Sequence, residues 1–114
     1  MGEHKYTFSI LPGKEDFALV KLGSQVLGGT DALNFTGTLN EVSKTPVKTV
    51  VVDCSSVEVM NSSGLGMLVS GLTTLKKYNI AMSLISLPRK VEDLMKMTRL
   101  DSIFKIYPDI NSVV

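Results

Sequence analysis

The chain has no tryptophan, a single cysteine (Cys54) and a single histidine (His4). One cysteine excludes an internal disulfide, so an apolar core must hold the fold together, and a reducing, cytoplasmic location is expected. Neither Cys54 nor His4 has a partner of its kind, and no metal ligand set is expected. Charge of one sign is also missing. Twelve Lys and Arg stand against eleven Asp and Glu, a formal net charge of +1. Such a balance gives no broad field to attract nucleic acid or an anionic membrane. No apolar run approaches the roughly 18–20 residues that span a bilayer, so no membrane insertion is expected. Residues Met1 to Lys5 carry no apolar signal region. Met1-Gly2 does not read as a lipidation signal, because position 6 is Tyr6 rather than a small hydroxyl residue.

What is present is a globular composition, 44% hydrophobic over 114 residues. That length suits one domain with one core, taken here as residues 1–114. Lys5 to Ile10 alternates polar and apolar, as a half-buried strand does. Pro12-Gly13 supplies a turn, and Phe17 to Leu22 can return as the antiparallel partner. Gly23 to Gly29 reads as loop. Thr30 opens a helix with Ala32, Phe35, Leu39 and Val42 on one face, and Pro46 bars its continuation. Thr49 to Asp53 is a continuous apolar run closed by an acid, the pattern of a buried parallel strand. After Ser62, the spacing of Leu65, Leu68, Val69, Leu72 and Leu75 predicts a helix. Ile80 to Ile85 reads as a second buried strand. Pro88 opens a helix with Val91, Leu94, Met95 and Thr98 inward. Ile103 to Ile106 is a last strand, and Pro108 starts a final helical turn. Strands alternating with helices imply an α/β fold: a mixed, mostly parallel five-stranded sheet with about four helices.

The segment from Asp53 to Gly66 concentrates the residues with functional potential. Asp53 ends a strand, where its carboxylate can bond loop N–H groups and orient the loop. Asn61 and Ser62 are both good helix N-caps. Gly64 and Gly66 remove side chains where a helix must sit close to a sheet. Enzymatic readings of this segment fail on spacing. Asn61-Ser62-Ser63-Gly64 is not a Gly-x-Ser-x-Gly nucleophile elbow, and no base is suggested for Ser62. Gly64-Leu65-Gly66 lacks the third glycine of a dinucleotide loop, since Val69 stands there, and no Walker lysine is present. No enzyme activity, metal or cofactor is expected.

Protein docking fits better. Met67 lies about 160° from the middle of the Leu65/Leu68/Val69/Leu72 stripe and is therefore expected to face outward, next to Ser62. Met60 precedes the serine. Gly66, Ser70, Gly71 and Thr74 keep the adjoining helix face low in bulk, so a partner helix could approach.

The same residues carry a family resemblance. Asp53, then a short loop, then Asn61-Ser62-Ser63-Gly64-Leu65-Gly66 resembles the signature of the STAS domain of bacterial anti-sigma factor antagonists. Val20-Lys21-Leu22 is similar to the family's second strand, and Thr98 to Pro108 to its closing strand, so the likeness covers essentially the whole chain. The resemblance implies a phosphorylation-switched binding module. Ser62, or less favourably Ser63, would be the phosphoacceptor. An anti-sigma factor serine kinase would be bound in the unphosphorylated state and released on phosphorylation, regulating transcription, and a phosphoserine phosphatase would reset the switch. Met60, Ser62, Met67, Ser24, Gln25 and Leu27 would form the partner surface. The loop after the second strand departs from the family. Antagonists commonly carry a Gly-Glu-Leu-Asp-like run there, whereas this chain has Ser24-Gln25-Val26-Leu27, with both acids replaced. A non-switching scaffold subunit of a signalling or membrane-transport complex is the alternative that the same resemblance allows.

Overall fold

The computed structural model describes residues 6–114. The readings placed on Met1 to Lys5, including His4 and the start of the first strand, lie outside the described residues. The chain begins with a hairpin, β1 (Phe8–Leu11) and β2 (Lys14–Lys21), turned at Gly13 with φ +72°. There follow β3 (Gln25–Val26), α1 (Thr30–Val42), β4 (Thr49–Asp53), β5 (Val59–Met60), α2 (Ser62–Lys77), β6 (Ala81–Ile85), α3 (Arg89–Met97) and β7 (Lys105–Tyr107). The main sheet has the order β1-β2-β4-β6-β7. β1 pairs antiparallel with β2, and every other pair is parallel. This is the mixed, mostly parallel five-stranded sheet that the alternation of elements predicts.

The apolar runs become core for the expected reason. Val50, Val51 and Val52 on the central β4 are fully buried, as are Phe35, Leu39 and Val42 on α1. Leu65, Leu68 and Leu75 of α2 join them, and so do Met82 and Met95. Tyr6 enters the core edge-on to Phe35, with ring centroids 5.8 Å apart, and its carbonyl accepts the Thr38 hydroxyl at 2.8 Å.

Four elements differ from the sequence reading. The 23–29 segment is not all loop, because β3 within it pairs in parallel with β5 to form a second, two-stranded sheet. Strands of two residues are too short to leave a period. Among the described residues three of the four expected helices are α-helices, and the fourth, after Pro108, is the shorter 3-10 form. The turn after Pro108 is a single 3-10 turn, Ile110–Ser112, capped by Asp109, and a similar turn covers Leu100–Ser102. The last strand starts at Lys105, two residues later than expected. Thr98 is exposed rather than inward: it ends α3, and its hydroxyl turns back to donate to the Leu94 carbonyl at 2.8 Å.

Candidate functional site

The site is built at the carboxyl ends of the central strands. Asp53 closes β4, and its Oδ1 accepts the Ser55 N–H at 2.9 Å, the turn bond expected of it. The next residue, Cys54, donates its N–H to the Ile85 carbonyl at 3.1 Å and is fully buried. Burial, with the Asp53 carboxylate beside it, pushes the Cys54 thiol up to about 12. The thiol therefore stays protonated at neutral pH and behaves as a small core residue.

The chain then reaches across to the 24–27 segment. Glu58 and Val59 both donate their N–H groups to the Ser24 carbonyl, at 2.7 and 2.9 Å, and Asn61 donates to the Val26 carbonyl at 3.4 Å. These bonds place Ser24, Gln25 and Leu27 beside Met60, Asn61 and Ser62. Ser24, Gln25 and Leu27 are exposed, Met60 is half-buried, and Val26 of that run is wholly buried.

At the start of α2, Asn61 is the N-cap, and its Oδ1 accepts the Gly64 N–H at 2.8 Å. Ser62 is therefore the first helical residue rather than the cap. Its side chain is exposed, and its hydroxyl makes no hydrogen bond among the described residues. A helix start leaves its first N–H groups without intrahelical partners. Asn61 satisfies that of Gly64, which leaves the Ser62 and Ser63 N–H groups open to water or an anion.

Two glycines let the segments approach. A Cβ on Gly64 would stand 2.6 Å from the Val26 carbonyl carbon and 3.0 Å from Val26 Cγ1. A Cβ on Gly28, where φ is +80°, would stand 2.7 Å from Ser63 Cβ. The Leu27–Gly29 turn thus lies against Ser63, and Asp31 Oδ2 holds it by accepting the Leu27 N–H at 3.3 Å. Of the adjacent hydroxyl residues, Ser63 carries the neighbouring loop on its flank.

Three expectations about α2 are corrected. Met67 does not face outward; it is 3% exposed and belongs to the core. At about 100° per residue, the buried arc runs some 160° from Met67 through Gly64, Gly71 and Leu75 to Leu65. Gly64 and Gly71 are two of the six buried residues of α2 but contribute nothing to an apolar stripe, so the stripe's centre is displaced from the true buried face. Gly71 does not await a partner helix either. Its missing Cβ would lie 2.6 Å from Phe35 Cε2 and 2.9 Å from Leu39 Cδ1, so the helix that approaches is α1 of the same chain. Gly66 has nothing within 4 Å of its Cβ position and is not a close-packing glycine.

The sequence reading also missed exposed apolar residues near the site. Val59, 48% exposed, immediately precedes Met60. Leu33, 75% exposed, stands one helical turn after the Gly28–Gly29 turn that touches Ser63. Leu33 is legible in the sequence as the α1 leucine that falls off the Ala32/Phe35/Leu39/Val42 face. Among the described residues, no group of three or more His, Cys, Asp or Glu side chains could hold a metal, and no helix is long and apolar enough to cross a membrane.

This topology, with an exposed serine opening the helix after the central strand, places the chain in a defined class. The family model for the STAS domain matches residues 10–113, and the chain belongs to that family. Its fold is similar to that of a candidate anti-sigma factor antagonist of Thermotoga maritima, at 25% identity and a TM-score of 0.75, over 96% of this chain and 92% of that one. It is also similar to the Bacillus anti-sigma factor antagonist SpoIIAA in its unphosphorylated form, at 9% identity and a TM-score of 0.68, over 94% of this chain and 91% of that one. A third likeness is to SLC26A9, at 13% identity and a TM-score of 0.67; it covers 84% of this chain but 19% of that one. The last two are likenesses of fold.

Proposed function

We propose that this chain is a phosphorylation-switched binding module, an anti-sigma factor antagonist. In this reading it binds an anti-sigma factor serine kinase while Ser62 is unmodified and is released once the kinase phosphorylates Ser62, and a phosphatase restores the free hydroxyl. The observation that carries the reading is the state of Ser62. Its hydroxyl is exposed at the first position of α2 and is released from capping duty by Asn61. A kinase can reach such a hydroxyl without unfolding anything. The phosphate formed there would meet the positive end of the helix dipole and the open N–H groups of Ser62 and Ser63. The modification changes the surface and leaves the core intact.

The surface that would read the change comprises Ser24, Gln25, Leu27, Val59, Met60 and Ser62. Met67 is left out because it is buried. The surface residues themselves are uncharged, with Glu58 and Lys90 of opposite sign at the edge beside Val59 and Met60, so a partner complementary to the surface relies on shape and apolar contact more than on net charge. Adding about −1.5 to −2 charges in its centre would then be unmatched on the partner side. The test is to incubate the purified protein with a kinase-type anti-sigma factor and ATP and to map phosphate by mass spectrometry. Phosphate on Ser62, and its loss in Ser62→Ala, supports the reading. Phosphate elsewhere, or tight binding that survives stoichiometric phosphorylation, refutes it.

A further inference from the structure

The near-balance of charge over the whole chain conceals an uneven distribution along the sheet. β2, β4, β6 and β7 run parallel, so one end of the sheet holds their carboxyl ends and Ser62. α1, α2 and α3 each return from that end to the other. At about 1.5 Å per residue, the 16 residues of α2 carry Lys77 roughly 22 Å from Ser62. Charges of both signs mix at the Ser62 end, where Asp53, Glu58 and Glu92 stand against Lys21, Arg89 and Lys90.

The opposite end differs on its helix side. Lys76 and Lys77 end α2, Lys96 lies in the last turn of α3, Arg99 follows that helix, and Lys48 stands just before β4. All are exposed, and none is in an ion pair among the described residues. The Ala81 N–H donates to the Lys48 carbonyl at 2.9 Å, which ties Lys48 to the strand entered after Lys77. Asp101 is the acid that accompanies them. On the hairpin side of this end, Lys14 stands with Glu15 and Asp16, so the basic excess is confined to the helix side. The same side exposes apolar residues. Tyr78 adjoins Lys77 and is 49% exposed, Met97 adjoins Lys96 and is 80% exposed, and Ile103, which enters the last strand, is 48% exposed. Helix dipoles favour cations in last turns and account for Lys76, Lys77 and Lys96. They do not account for Lys48 or for the exposed apolar side chains.

We propose that this end of the molecule adsorbs to an anionic lipid surface, with Met97, Tyr78 and Ile103 entering the boundary between headgroups and acyl chains and the cations meeting lipid phosphates. Peripheral binding of this kind adds buried apolar area to electrostatic attraction. The attraction acts locally, within a Debye length of about 8 Å, so the mixed charges of the distant Ser62 end do not cancel it. A protein with almost no net charge therefore binds through one basic end. Nucleic acid would also be drawn to the cations, but its phosphate backbone offers Met97 and Ile103 nothing to pack on, whereas a bilayer rewards both features. This is adsorption, not the insertion of a spanning segment. Held in this way, the chain points Ser62 away from the lipid and leaves it open to a partner. The inference does not rest on phosphorylation.

Co-sedimentation of the full chain with vesicles of phosphatidylcholine alone, and of phosphatidylcholine mixed with phosphatidylglycerol, tests the proposal. Binding is expected to the mixed vesicles only, and it should weaken as salt rises. Lys76→Glu with Lys77→Glu should lower the affinity by about a hundredfold or more. Met97→Ser should lower it by about tenfold. Lys21→Glu with Arg89→Glu makes the same change of net charge at the Ser62 end and should bind as the wild type does. All of these side chains are exposed, so the fold, checked by circular dichroism, should be unchanged in every variant. Because the chain has no tryptophan, Met97→Trp reports on its own position, and its emission should move to shorter wavelength on the mixed vesicles. No binding to mixed vesicles at low salt overturns the proposal. So does an equal loss in both charge-reversal pairs, or a Met97→Trp emission that does not move. Duplex DNA bound more tightly than the vesicles, with no sensitivity to Met97→Ser, also overturns it.

Discussion

Replacing Gly64 by alanine tests how closely α2 must approach β3. The added Cβ would face the Val26 peptide, 2.6 Å from its carbonyl carbon and nearer still to its oxygen. Comfortable contact begins near 3.5 Å, so the helix start must retreat by roughly 1 Å. The obstacle is buried backbone and cannot swing aside as a flexible side chain would. Retreat also strains the Asn61 N–H bond to the same Val26 carbonyl, already 3.4 Å long. Overpacking of this kind costs about 1–3 kcal/mol, offset by up to about 1 kcal/mol from the better helix propensity of alanine. A net loss of roughly 1–2 kcal/mol should lower Tm by about 4–8 °C. Gly66→Ala is the internal control. It lies two residues along the same helix, exposed, with nothing within 4 Å of its Cβ position. There only the propensity term operates, and stability should rise by up to about 1 kcal/mol. Urea unfolding with a shared m-value is the assay. Gly64→Ala as stable as the wild type, or both variants shifting the same way, would refute the close-packing argument.

Met67→Arg should fail to fold or lose several kcal/mol, because it places an unpaired charge in the core; a wild-type-like urea midpoint would put Met67 back on the surface. Asn61→Ala should cost about 1 kcal/mol through loss of the cap, while Ser62→Ala should stay within about 0.5 kcal/mol of wild type in the same experiment. For partner binding, Ser62→Asp should weaken affinity by roughly a hundredfold in calorimetry and Ser62→Ala should bind as well as wild type; equal affinity of both would exclude a charge switch. Stability should also fall with alkaline pH. Cys54 rises from 9.0 to about 12 through burial and then the Asp53 charge, and Tyr6 from 10.0 to about 12 through burial and then the Asp31 charge. Above pH 9 the unfolded chain therefore holds fewer protons than the native one. Stability is full below pH 9 and declines toward pH 12 by up to roughly 1.4 kcal/mol per pH unit for each group. A urea midpoint flat from pH 8 to 11 would contradict the burial of both groups.

The strands of the main sheet and the three α-helices are legible from local pattern. Thr49 to Asp53 has the continuous apolar run of a buried parallel strand, and Phe35, Leu39 and Val42 recur at helical spacing. Those patterns are local, and they survive folding because each follows from the period of its own backbone. Ser62 was legible for the same reason, standing where a buried strand gives way to an apolar-periodic helix. What the tertiary structure alone decided lies where two distant segments touch. Val26 and Gly64 are far apart in the chain, and no local pattern announces that one must lose its side chain to fit the other. Met67 was misplaced because the buried arc of α2 is completed by glycines that pack against β3 and α1, and glycine leaves no apolar mark. The β3–β5 pair, the division of labour between Asn61 and Ser62, and the loop resting on Ser63 all depend on hydrogen bonds and contacts across the fold. Hydrophobic periodicity records which side of an element avoids water; it does not record which neighbour takes the water's place.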